Sequence, residues 1–138
     1  METTKPPSPK LLIDSNILVY SAKPGYLFLR DWVFARSPAV SAISRVEVLG
    51  YHKITTSEQQ ELTSLFSGTP IMPLSSNIVE RAIQLRQQKK MSLGDALVAA
   101  TALELHHALV TRNKGDFIWI PNLQVFDPFD PADFQQIV

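Results

Sequence analysis

Short apolar runs alternate with helical patterns along almost the whole chain, and this alternation constrains the fold more than any other feature. Leu11-Leu12-Ile13 is a continuous apolar triplet, followed at once by Asp14, Ser15 and Asn16 and then by the apolar Ile17-Leu18-Val19-Tyr20. An unbroken apolar run suits a strand buried on both faces, and polar capping residues between apolar segments mark a strand-to-helix turn. Further strands are expected at residues 39–42, 70–74, 108–111 and 123–126, with Pro70 and Pro73 confined to strand ends or edges. Helical patterns fill the intervals: from residue 15 to the Pro24-Gly25 break, then over 26–36, 44–53, 57–68, 76–90 and 93–107. The third of these opens on the capping-box form Ser44-Arg45-Val46-Glu47. In the fifth, Ile78, Val79, Ala82, Ile83 and Leu85 are expected inward, with Arg81, Arg86, Lys89 and Lys90 mostly outward. The last has no polar face across Ala96-Leu97-Val98-Ala99-Ala100, so it should pack centrally. Strands alternating with helices imply an α/β domain, a central parallel five-stranded sheet with helices on both faces.

Composition sets outer limits on this reading. With 138 residues, 45% of them hydrophobic and 19% charged, the chain is neither disordered nor collagen-like nor a coiled coil. Thirteen basic residues balance thirteen acidic ones, which excludes a polycation but leaves room for a local basic patch. The lack of cysteine rules out disulfides, thiolate zinc sites and cysteine nucleophiles. Residues 1–9 hold three prolines and read as a flexible leader, residues 10–128 as the domain and 129–138 as a C-terminal tail. Neither a signal peptide nor the roughly 20-residue apolar run of a membrane helix is present in the sequence, so the expected location is cytoplasmic.

In open parallel sheets, sites lie beyond the carboxyl ends of the strands. There the sequence places Asp14 after the first strand, Glu47 in the helix after the second, Asp95 at the start of the central helix, and Asp116 five residues beyond Thr111. Taken singly, each acid reads better as a helix-start or turn acid, because acids are favoured at helix N-termini. Convergence of all four on one rim is what that reading leaves unexplained. Two carboxylates about 4 Å apart repel by roughly 4 kcal/mol at an effective dielectric of 20, so raised pKa values or a cation must offset the repulsion. All-oxygen donors without cysteine or paired histidine suit Mg²⁺ or Mn²⁺.

The quoted segments also resemble a known family. Leu12-Ile13-Asp14-Ser15-Asn16-Ile17-Leu18, Glu47, the segment from Leu93-Gly94-Asp95 through Ala102, and Thr111-Arg112-Asn113-Lys114-Gly115-Asp116-Phe117 resemble the ordered motifs of the PIN domain, over residues 10–128. Within it they look most like the VapC-like ribonuclease toxins of type II toxin–antitoxin modules. The resemblance implies a magnesium- or manganese-dependent endoribonuclease that hydrolyses RNA phosphodiester bonds with metal-activated water, leaving a 5′-phosphate and a 3′-hydroxyl. It makes Asp14, Glu47, Asp95 and Asp116 the catalytic metal-binding acids, with Asn16 and Thr111 orienting them. Many PIN domains carry an acid two residues after that threonine; here the position is Asn113. The resemblance further implies a homodimer and a small VapB-like antitoxin whose tail inserts a basic residue among the acids.

Arg45, Arg86, Arg112 and Lys114 are the cations expected to meet RNA, against the plainer reading of a solvated helix face. Phe28, Leu29, Trp32 and Phe34 are read either as core or as a hydrophobic surface for a subunit or antitoxin helix. His106 and His107 are adjacent, so they point about 100° apart on a helix and cannot readily chelate together. The glycines form no phosphate-binding loop, and no Gly-x-Ser-x-Gly elbow occurs. A dehalogenase-like phosphatase needs a second Asp where Asn16 stands, and a receiver domain needs one where the third strand ends in Leu74-Ser75. A non-cleaving RNA scaffold, and an RNA-processing nuclease outside a toxin–antitoxin pair, remain as alternatives.

Overall fold

The computed structural model describes residues 9–138, so the leader expected over residues 1–9 lies outside the described residues except for Pro9. Among the described residues, five short strands alternate with helices: β1 (Leu11–Ile13), α1 (Ser15–Ser21), α2 (Leu27–Arg36), β2 (Ala39–Ser41), α3 (Ala42–Leu49), α4 (Thr56–Ser67), β3 (Ile71–Met72), α5 (Ser76–Gln88), α6 (Leu93–Glu104), β4 (Ala108–Val110) and β5 (Val125–Phe126). A 3₁₀ turn, Lys114–Asp116, joins the last two strands, and α7 (Pro131–Ile137) follows them.

Every strand pair is parallel, in the order β3-β2-β1-β4-β5. The chain builds outward in opposite directions from β1, which puts the topological switch between β1 and β4, where Leu12 lies opposite Leu109. Strand periodicity splits the core in two. Leu11, Ile13, Val40, Val110 and Phe126 face α1, α2, α4 and α7, while Leu12, Ala39, Leu109 and Val125 face α5 and α6. Helix α6 is buried from Ala96 to Ala102, as its lack of a polar face predicts. No helix among the described residues is long and apolar enough to cross a membrane.

Several local expectations change. Helix α3 starts earlier than expected: Ser41 is its N-cap and accepts from the Ile43 amide, at 3.3 Å. Ser44 is therefore buried inside the helix, and the Ser44–Glu47 capping box does not form. A capping box does form one helix later, between Thr55 and Glu58. On α5, Ile78, Ala82 and Leu85 are buried, but Val79 and Ile83 are 41% and 45% exposed. The buried stripe already meets α6, and residues 79 and 83 lie about 100° further round the helix. Helix α6 stops at Glu104, because His106 takes a left-handed φ of 55° and turns the chain into β4.

Of the aromatic set, Leu29 and Trp32 are core, while Phe28 and Phe34 stay about half exposed. Residues 129–138, read from the sequence as a tail, carry α7. Its Ile137 is fully buried, and the Ile137 carbonyl accepts from the Trp32 indole N–H at 2.8 Å.

Candidate metal-binding acidic site

The carboxyl edge of the sheet gathers its polar residues around the β1/β4 switch. Asp14 directly follows β1, where its backbone N–H still bonds to the Val110 carbonyl at 2.9 Å. Its backbone then turns extended, with φ −75° and ψ 159°, and its carboxyl caps α1 by accepting from the Ser15 amide at 2.8 Å. The other carboxyl oxygen accepts from the hydroxyl of Thr111, the residue after β4, at 2.9 Å. Thr111 is fully buried and its oxygen also accepts from the Asn113 amide at 3.1 Å. Asn16 spans the same junction. Its side-chain amide donates weakly to the Thr111 hydroxyl at 3.4 Å, and its oxygen accepts from the Arg112 amide at 3.3 Å.

Burial pushes the Asp14 carboxyl up from 3.8 to about 6, against the lowering pull of its two hydrogen bonds; the charges of Asp95 and Glu47 add to the rise. Asp95 is the third residue of α6, whose N-cap Ser92 accepts from the Asp95 amide at 3.1 Å. Its pKa is raised as well, first by partial burial and then by the charges of Asp116 and Glu47. Glu47 is exposed on α3, and the Ser15 hydroxyl donates to it at 3.1 Å. Asp116 is exposed at the end of the 3₁₀ turn, with its backbone carbonyl accepting from the Trp119 indole at 3.0 Å.

The four acids thus act on one another electrostatically across one rim. As donors they are all oxygen, and among the described residues their charge is offset by no ion pair of their own, which fits a hard divalent ion. They stand open rather than clustered: among the described residues no three His, Cys, Asp or Glu side chains are gathered closely enough to hold an ion.

The expected RNA-facing cations divide. Arg112 pairs with Asp127 at 3.2 Å and stacks over Phe129 at 4.3 Å. Lys114 pairs with the buried carboxylate of Asp133 at 2.9 Å. Both therefore anchor the loop that carries Asp116 to the C-terminal segment. Arg45 and Arg86 are exposed. Arg86 donates to the Met91 carbonyl at 3.3 Å and lines a groove of about 770 Å³ between α5 and α6. Asn113 is exposed, and its backbone rather than its side chain ties it to Thr111.

Three residues of the site escape the sequence reading. Ser15 and Ser92 look like ordinary caps, and nothing local says that Ser15 also reaches Glu47, 32 residues away. Gly94 is the third: a side chain built there meets the Glu47 carboxyl. Its one visible signal is a glycine near the start of an Ala- and Leu-rich helix, where it is disfavoured by about 1 kcal/mol relative to alanine.

A family model described as PIN domain matches residues 11–120. No curated protein matches the chain. A toxin-antitoxin complex from Klebsiella pneumoniae contains a chain 34% identical to this one. That match covers 87% of this chain and 98% of the other, with a TM-score of 0.70. VapBC2 from Rickettsia felis, bound to a DNA fragment from its promoter, matches at 23% identity, covering 85% and 97% of the two chains with a TM-score of 0.72. VapBC-1 from nontypeable Haemophilus influenzae matches at 22% identity over 87% and 98%, with a TM-score of 0.71.

Proposed function

The chain belongs to the PIN-domain family, and from that premise we propose that it is a divalent-metal-dependent endoribonuclease, the toxin of a type II toxin–antitoxin pair. The observation that carries this reading is the mutual electrostatics of the rim, where buried Asp14 and half-buried Asp95 both resist ionisation beside Glu47 and Asp116. A site that accumulates negative charge without a partner suits a cation as its occupant.

Asp14 and Asp95 are assigned as direct ligands of Mg²⁺ or Mn²⁺, Glu47 as a further ligand or as the group that orients the attacking water, and Asp116 as the outer acid. Such an ion supplies Lewis acidity toward the phosphate and lowers the pKa of water. The remaining work falls to the chain itself. Thr111 and the Ser15 amide fix the Asp14 carboxyl in one orientation, and Asn16 ties the first turn of α1 to the loop after β4. Exposed Arg45 and Arg86 supply salt-sensitive attraction for phosphates. With zero net charge overall, affinity should come from local cations and from unpaired, accessible RNA rather than from a general positive field.

The toxin role is supported by the likeness to the Klebsiella pneumoniae toxin-antitoxin complex, at 34% identity over most of both chains. With it come a proposed VapB-like antitoxin partner, a homodimer and a cytoplasmic location. A non-cleaving RNA scaffold is the second reading. It is favoured by the open spacing of the acids and by Asn113 at a position where many PIN domains hold an acid.

The test uses RNA and DNA oligonucleotides of one sequence, incubated with antitoxin-free protein and Mn²⁺, with the ends of the products analysed. Cleavage of RNA alone, leaving 5′-phosphates, is the expected result. Cutting of both strands equally would remove the ribonuclease assignment. RNA retained but uncut by folded protein would favour the scaffold.

A further inference from the structure

We propose that Gly94 is a positioning residue, whose absent side chain is the seat of the Glu47 carboxylate in the acidic site. The inference rests on the reading of that rim as a metal-dependent nuclease centre, and it assigns a role to a residue with no chemistry of its own.

Backbone conformation does not call for a glycine here. Position 94 lies in the first turn of α6, and Gly25 is the one glycine with positive φ among the described residues. Space does call for one. A Cβ built on Gly94 would stand 2.8 Å from Cδ and 2.9 Å from Oε1 of Glu47, with Oε2 nearer still. These are the three heavy atoms nearest to it, and all belong to one carboxyl group. Real carbon atoms do not approach so closely. The group in the way is the free end of a flexible side chain, so an added methyl would move the carboxylate and leave the helix where it is.

The other flank of Glu47 is held by the Ser15 hydroxyl at 3.1 Å. Ser15 adjoins Asp14, and Gly94 adjoins Asp95. The two residues that fix Glu47 are thus the chain neighbours of the two acids it must act beside. Helix α3 brings Glu47 to the rim, and its carboxylate is seated between the first turns of α1 and α6.

Calorimetric titration with Mn²⁺, paired with thermal melting, tests this on the full chain in four forms: wild type, Gly94→Ala, Glu47→Ala and the double variant. The expected result is that Gly94→Ala weakens Mn²⁺ binding about tenfold or more, the scale for disturbing a support of a metal ligand. Its melting temperature should fall by no more than about 4 °C. In the Glu47→Ala background, the same change should alter Mn²⁺ affinity by less than about twofold, because the two substitutions act through one group. Should Gly94→Ala alone fail to fold while the double variant folds, the contact with Glu47 is again the cause. Wild-type affinity in Gly94→Ala would overturn the proposal, and so would an equal loss with and without Glu47, or a double variant that does not fold. A wild type that binds no Mn²⁺ would instead sink the metal reading, and the role of Gly94 with it.

Discussion

Asp14 and Asp116 stand on the same rim of the same sheet and are built in opposite ways. Asp14 is 6% exposed, directly follows a central strand, and is held by the Thr111 hydroxyl and the Ser15 amide. Asp116 is exposed on a three-residue turn and is steadied there through its backbone, its amide donating to the Asn113 carbonyl and its carbonyl accepting from the Trp119 indole, both at 3.0 Å. Burial raises the pKa of Asp14 to about 6, whereas Asp116 enters the electrostatics chiefly by raising that of Asp95. The site is thus half fixed and half adaptable. The β1/β4 side presents a donor whose geometry the core dictates, and the loop side presents one that can follow an ion or a substrate. Preorganised groups gain most from rigidity, so the fixed half should carry most of the function.

The largest expected effect is at the fixed half. Asp14→Asn should cut RNA cleavage by more than about 10²-fold, beyond the range of residues that merely support a metal ligand. The same change should stabilise the metal-free protein at pH 7, because it removes a buried charge. The sign follows from the raised pKa. Folding takes up a proton between 3.8 and about 6, so the contribution of Asp14 is fully present below 3.8 and is lost as the pH rises through about 6. Above that range the penalty approaches about 3 kcal/mol. Urea unfolding of wild type and Asp14→Asn at pH 4.0 and 7.5 should therefore show the variant's advantage only at the higher pH.

Thr111→Val should come next, with a loss of about 10- to 100-fold. It removes the hydrogen bond that lowers the Asp14 pKa, so the acid limb of the cleavage–pH profile should move upward. An unshifted limb with reduced rate would mean that Thr111 shapes the loop and not the carboxyl. Asp116→Asn should cost less than about tenfold and recover with added Mn²⁺, as an adaptable outer group would. A loss equal to that of Asp14→Asn would erase the distinction between the halves.

The smallest effect on cleavage is expected at Asp133, whose carboxylate accepts from the Asp127 amide and from Lys114, both at 2.9 Å. Those bonds hold its pKa below the ordinary carboxylate value, so its contribution to stability is present above pH 3.8 and fades as the pH falls through the lowered pKa. Asp133→Asn should destabilise the fold by about 1–3 kcal/mol in denaturant titration while leaving cleavage nearly intact.

The same division between fixed and adaptable elements explains what could be read from the sequence. Strands buried on both faces announce themselves as apolar triplets, so Leu11–Ile13 and the parallel sheet were legible, as was the acid or helix start that follows each central strand. Pairings distant in sequence were not. The Ser15–Glu47 hydrogen bond spans 32 residues and the Lys114–Asp133 pair 19, and local pattern carries no record of either. Arg112 and Lys114 accordingly read as free cations for RNA, although each has a carboxylate partner in the fold. Competing local signals account for the rest. Two serines three residues apart, Ser41 and Ser44, both suit the start of α3, and the one directly after the strand's apolar pair takes the cap. Helix α7 is too short and too rich in flanking prolines to declare a period, and it is identified only by the burial of Ile137.

Everything proposed for this rim depends on its carboxylates holding a divalent ion that cuts RNA. The most direct measurement is cleavage of a total-RNA pool by antitoxin-free wild type with Mg²⁺ or Mn²⁺, run beside Asp95→Asn and a chelator control. Discrete fragments that vanish with chelator and with the variant are the expected result. Fragments that persist in Asp95→Asn, or RNA left whole by folded, metal-loaded wild type, would remove the metal-dependent ribonuclease from this rim.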